Sequence, residues 1–195
     1  GGGMYRISVK RASGPGSQYM HDQVKAGALL QVSAPRGSFT LGTSGGPVVL
    51  LSAGIGATPV LSMLHALSST PDQYQREVWW CYGARNRREH PFAAEVRLLL
   101  TKLPRSHAVV AYSKPEEADV LGEDYDAAGR LNLLLLQQHA IPRKADFYLC
   151  GPAAFLSELS DSLLSWGVPA AAIHTETFGA SPALTPGIAS TAPKS

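Results

Sequence analysis

A chain of 195 residues holds one ordinary domain, or one domain and part of a second. Its apolar fraction of 45% suits a soluble globular protein, and its charged fraction of 16% is low, as in α/β proteins whose central strands are buried on both faces. The net charge of +2 gives no drive toward nucleic acid or an anionic membrane, no stretch is long and apolar enough to span a bilayer, and no secretory signal pattern is present, so a cytoplasmic protein without nucleic-acid or membrane partners is expected.

Gly1-Gly2-Gly3 reads as linker. Tyr5 to Lys10 alternates apolar and polar residues, the pattern of a half-buried strand. Ser13-Gly14-Pro15-Gly16 is a turn, and Ser17 to Lys25 a short helix with Ser17 as N-cap. Ala28 to Ser33 and Ser38 to Leu41 read as two more strands, and Gly42 to Pro47 as a flexible connector. Strand and helix then alternate. Strands are expected at 48–51, 78–82, 108–112, 147–150 and 173–175, and helices at 58–68, 91–103, 131–138 and 153–166. Repeated βα units with nearly continuous apolar strands predict a parallel sheet covered on both faces. The stretch from Ala180 to Ser195, rich in Ser, Thr, Pro and Ala, reads as linker or disordered tail.

Ligands of such sheets sit beyond the carboxyl ends of the strands, so the turns there carry the chemistry. After the first strand comes Ser52-Ala53-Gly54-Ile55-Gly56-Ala57-Thr58-Pro59. Glycines let a backbone approach a pyrophosphate, and the free N–H groups of the following helix attract its charge. The same turn could join strand to helix and bind nothing. It is no Walker loop, since no Gly-Lys-Ser/Thr follows. It departs from the common dinucleotide fingerprint too: Pro59 replaces the third glycine, and the second strand runs into Cys81-Tyr82-Gly83-Ala84-Arg85 with no acid for a ribose diol. Arg85, Arg87 and Arg88 form either a solvated basic loop or a clamp on phosphates. Cys81 and Cys150 lie in apolar runs and are expected as buried free thiols; an iron–sulfur cluster, which takes four cysteines, is not expected within the chain, nor is a metal on the scattered histidines.

The Gly54 to Pro59 segment resembles the nucleotide-binding turn of the ferredoxin–NADP reductase superfamily, and three further segments agree in order. Tyr148-Leu149-Cys150-Gly151-Pro152 resembles the family's Cys-Gly-Pro segment. His174-Thr175-Glu176-Thr177-Phe178-Gly179 resembles its terminal Glu-x-Phe. Gly14 to Asp22, with Ala34-Pro35-Arg36-Gly37-Ser38-Phe39, resembles its flavin-pyrophosphate loop and closing barrel strand. The likeness lies nearest the flavohaemoglobin-reductase and phthalate-dioxygenase-reductase branch.

This resemblance implies an α/β chain with a partial antiparallel flavin-binding β-barrel at 4–45, a parallel-sheet Rossmann-like NAD(P)-binding domain at 46–179, and a linker at 180–195. It implies an NAD(P)H-dependent flavin oxidoreductase that passes hydride from NADPH or NADH to FAD or FMN, and then electrons to an acceptor such as a [2Fe–2S] domain. Gly16 and Ser17 would meet the flavin pyrophosphate, and Gly54, Gly56, Thr58 and Pro59 the nucleotide. Cys150, with Gly151 and Pro152, would lie beside the nicotinamide, and Glu176 and Phe178 at the flavin contact. Arg85 would bind phosphate, and Ser113 and Lys114 the 2′-phosphate of NADPH. Gly56→Val is then expected to abolish nucleotide binding while the fold survives. The family opens its barrel with an Arg-x-Tyr-Ser strand. This sequence shows only about three barrel strands and not that segment, so this chain alone is expected to bind flavin weakly or not at all. The alternatives are a nucleotide-binding or interaction module without redox activity, and an unrelated Rossmann dehydrogenase.

Overall fold

In the computed structural model, which describes residues 5–34, 36–69 and 76–177, the alternating runs form one six-stranded parallel sheet. Its strands are β1 (Val48–Ala53), β2 (Val78–Ala84), β3 (Ser106–Tyr112), β4 (Ala127–Ala128), β5 (Asp146–Gly151) and β6 (Ile173–Thr177), ordered β4-β3-β2-β1-β5-β6. The helices are α1 (Pro15–Asp22), α2 (Ala57–Ser69), α3 (Ala93–Leu100), α4 (Leu133–Gln138) and α5 (Ala153–Ser165).

Period-2 side-chain alternation divides each central strand between two cores. Val48, Leu50, Trp80, Tyr82, Tyr148 and Cys150 face α2 and α3. Val49, Leu51, Cys81, Val109, Phe147 and Leu149 face α4 and α5. Both faces being covered explains why these strands read as unbroken apolar runs rather than as amphipathic ones. The chain steps outward from β1 to β4 and then returns to β5 on the other side of β1, so the order reverses between β1 and β5. A crevice at such a reversal is where doubly wound sheets bind ligands.

Residues before the sheet depart from expectation. The stretches Tyr5–Lys10, Ala28–Ser33 and Ser38–Leu41 form no strands, and no barrel is present among the described residues. Alternation supplies a face, but a strand exists only where its N–H and C=O groups find ladder partners. None of these stretches pairs with a neighbour, and Leu29 and Val32 stand 99% and 62% exposed. The first helix starts at Pro15, not Ser17, with Gly14 as its N-cap. Proline suits a first helical position, whose N–H would be unpaired anyway. The Ser17 hydroxyl is occupied elsewhere: it accepts from Ala12 N–H at 2.9 Å and donates to the Lys10 carbonyl at 2.7 Å.

Buried Arg76 fastens the connector to the bottom of the sheet. Its guanidinium donates to the carbonyls of Gly46 (2.6 Å) and Gly42 (3.0 Å), to Ser44 Oγ (2.9 Å) and to Asp146 Oδ2 on β5 (2.8 Å). Tyr148 adds a bond from Gly42 N–H to its hydroxyl at 2.7 Å. The connector expected to be flexible is therefore tied to β5. The N-terminal arm is held at the other side: Arg6 pairs with Glu95 of α3 at 2.8 Å and lies over the Phe92 ring at 5.6 Å.

Candidate functional site

A cleft of about 790 Å³ opens across the carboxyl ends of the central strands, a size that suits a cofactor. Ala53, Gly54 and Ile55 after β1, Gly83 to Arg85 after β2, Ser113 after β3, and Pro152 with Phe155 after β5 line it. Ser8, Val9 and Lys10 of the arm close one side. Its charged groups are Lys10, Arg85, Arg88 and Arg130 against Glu89 and Glu158, a cationic excess that favours a phosphorylated ligand.

Gly54 opens a 3-10 turn, Gly54–Gly56, that leads straight into α2. Its φ is +57°, a left-handed conformation that strains any residue with a Cβ, and no atom would stand within 4 Å of an added Cβ. A ligand can therefore approach this backbone closely. Gly56 is glycine for a different reason. An added Cβ would lie 2.2 Å from the Cys150 carbonyl oxygen and 2.8 Å from Gly151 Cα, so the start of α2 is packed directly on the end of β5. The expectation that Gly56→Val spares the fold is thus corrected: the clash is with strand backbone, which cannot rotate away. Thr58 is turned inward, its Oγ1 donating to the Ile55 carbonyl at 3.2 Å. Pro59 sits in the first turn of α2, where no intrahelical partner awaits its missing N–H.

Cys150 is fully buried on the α2 face and does not line the cleft. Burial, and then the charge of Glu176, push its thiol up to about 12, so it stays protonated. Exposed Glu176 sits opposite Cys150 in the β5–β6 register. Gly151 is buried, and Pro152 opens α5 at the cleft wall. Phe178 lies outside the described residues. Ser113 lines the cleft, and Lys114, also exposed, does not. Bonds from Ser113 N–H to Ala84 O and from Lys114 N–H to Arg85 O, both 2.9 Å, extend the β2–β3 ladder and bring the two strand ends together. Gly16 and Ser17 lie on α1 and do not line the cleft, although the Ser17 hydroxyl bonds the carbonyl of Lys10, which does.

The three arginines after β2 diverge. Arg85 reaches Glu89 at 3.5 Å and Arg88 reaches Glu116 at 3.2 Å, both exposed and both at the cleft, whereas Arg87 turns to Asp124 at 3.7 Å. Pairs this exposed hold little energy, so a phosphate can displace them. Two further cleft residues have no clear signal in the sequence. Arg130 follows Gly129 after the two-residue β4; it is exposed and makes no ion pair among the described residues. Phe92, at the mouth, caps α3 with φ 65°, a left-handed value that a bulky residue adopts only under constraint.

Comparison with known proteins identifies the family of this fold. Residues 50–161 match the model of the oxidoreductase NAD-binding domain. The chain belongs to that family, within the ferredoxin–NADP reductase superfamily. The family is one of NAD(P)H-dependent flavoprotein oxidoreductases, as the resemblance implied. The flavohemoprotein of Chromobacterium violaceum is 42% identical over 185 residues, covering 91% of this chain and 45% of that protein. Among solved structures, the flavohem-like FAD/NAD-binding domain of nitric oxide dioxygenase from Vibrio cholerae O1 biovar El Tor superposes with a TM-score of 0.75 at 34% identity, covering 88% of this chain and 70% of that one. The flavohemoglobin of Malassezia yamatoensis, solved with bound FAD and heme, gives a TM-score of 0.70 at 30% identity, covering 82% and 40%. The chain thus spans under half the length of the flavohemoprotein it matches.

Proposed function

We propose that this chain supplies the nicotinamide-nucleotide site of an NAD(P)H-dependent flavin reductase. The cationic cleft at the β1–β5 reversal, entered by the left-handed backbone of Gly54, carries this reading. The residues fit a dinucleotide: an open glycine, Gly54, in the 3-10 turn that leads into α2 for the pyrophosphate, and Arg85, Arg88 and Arg130 for phosphate oxygens. Ser113 at the β3 end, with Lys114 beside it, suits the 2′-phosphate that distinguishes NADPH. The bound nucleotide would supply hydride and the flavin would accept it.

The protein's part is positioning. The Cys150–Gly151 backbone, pressed by Gly56, fixes the floor where Pro152 and Phe155 shape the wall. The Cys150 thiol, held protonated, takes no part in acid–base work at neutral pH. Glu176 would sit at the flavin contact, and Phe178 would cover the flavin. Gly16 and Ser17 belong to the segment that would meet the flavin pyrophosphate, in the division 4–45, 46–179 and 180–195.

A [2Fe–2S] centre was the acceptor expected from the sequence. The likeness to flavohemoproteins, one of them solved with FAD and heme, favours a haem acceptor instead. Among the described residues no group of three or more His, Cys, Asp or Glu side chains could hold a metal, and no helix is long and apolar enough to cross a membrane. Calorimetric titration of the purified chain with NADPH and NADH tests the proposal. Saturable one-to-one binding, tighter for NADPH, is expected; no binding of either nucleotide would overturn it.

A further inference from the structure

Beneath the cleft lies an aromatic group that the proposed nucleotide site does not itself use. Tyr82, near the end of β2, is fully buried, and its hydroxyl donates to the Gly54 carbonyl at 3.1 Å. The same carbonyl receives the Ala57 N–H. The Tyr82 ring is held in turn. It stacks on His90 at 4.7 Å and 23°, and His90 Nδ1 meets the Tyr112 hydroxyl at 2.9 Å.

The consequence follows from peptide geometry. In a planar trans peptide the carbonyl of one residue and the N–H of the next point in opposite directions. No cis peptide occurs among the described residues. With the Gly54 carbonyl drawn down to Tyr82, the Ile55 N–H is turned the other way, and Ile55 lines the cleft. An N–H in the first turn of a helix has no intrahelical acceptor and is free to bind an anion. Burial, with smaller contributions from Tyr112 and Glu89, pushes the Tyr82 phenol far above its ordinary range, so it remains a donor at every working pH.

We propose that Tyr82 is a positioning residue for the nucleotide turn: its hydroxyl fixes the Gly54 carbonyl and thereby aims the Ile55 N–H at a phosphate oxygen of the bound nicotinamide nucleotide. This rests on the nucleotide reading above. The substitution Tyr82→Phe removes the hydroxyl and keeps the ring stacked on His90. NADPH affinity is measured for both proteins by calorimetry, the melting temperature without ligand by calorimetric scan, and the Ile55 amide by 15N-edited NMR during NADPH titration. Expected are an affinity loss of about fivefold, the scale of one hydrogen bond, a melting temperature shifted little, and a smaller Ile55 amide shift at saturation than in the unsubstituted chain. Unchanged affinity overturns the proposal. So does an affinity loss with the full Ile55 shift retained, since the hydroxyl would then act by general loosening. If the unsubstituted chain binds no NADPH, the nucleotide reading itself fails, and this inference with it.

Discussion

Two glycines two positions apart do opposite work. Gly54 holds a left-handed turn open to a ligand, while Gly56 lets helix backbone touch strand backbone. Their substitutions should separate. Gly54→Ala places a Cβ in open space at φ +57° and costs about 1 kcal/mol of stability through backbone strain, with NADPH affinity reduced. Gly56→Val must displace β5 and is expected to cost about 3 kcal/mol. Urea titrations of the two variants check this, and equal midpoints would contradict it. The cations make a second comparison. Arg130 lines the cleft with no ion-pair partner among the described residues, whereas Lys114 lies outside the lining. Arg130→Ala should therefore weaken NADPH binding about tenfold, the worth of a charge-assisted bond, and more than Lys114→Ala does. A larger effect at Lys114 would show that the 2′-phosphate contact at Ser113 and Lys114 outweighs the one at Arg130. Of these groups the sequence reveals Gly54 and Arg85, because strand–glycine–helix spacing and a basic run are local patterns. Arg130 is hidden, because it reaches the cleft through β4, a two-residue strand of alanines with neither β-branched residues nor alternation.

At the scale of elements, the turn after β1 depends on the layer behind it. His90 is packed between Tyr82 and Tyr112, and burial, reinforced by Arg97 and opposed by Asp124, lowers its pKa from 6.5 to about 4. A depressed histidine binds its proton more readily in the unfolded chain. Its contribution to stability is therefore complete above pH 6.5, falls as the pH drops below that value, and is lost by about pH 4. Melting temperatures across this window should fall less steeply in His90→Phe, which cannot titrate and can still stack on Tyr82. Parallel curves for the two proteins would remove His90 from the account. The helices and inner strands of this half were readable because apolar runs bounded by glycine and proline are strong signals. Their ends moved by a few residues for local reasons, as at α3, which starts at Ala93 because Phe92 is left-handed. The three strands expected before Pro47 do not form, because alternation describes a face and says nothing of a pairing partner.

For the whole molecule, the order β4-β3-β2-β1-β5-β6 decides where chemistry can occur, because it opens a crevice beside β1 where Gly54, Arg85, Ser113 and Pro152 come together from four separate turns. These residues are spread over about half the chain, and each of their motifs is weak alone. The sequence joins them only through a family resemblance, whereas the sheet joins them in space. Chemical-shift mapping of an NADPH titration, with backbone amides assigned, tests that convergence most directly. The largest shifts should fall together at Gly54–Ile55, Gly83–Arg85, Ser113, Arg130 and Ala154–Phe155, the rim of the one cleft. Shifts confined to the opposite, Arg76 end of the sheet, or no saturable shifts at all, would contradict a nucleotide site at the β1–β5 reversal.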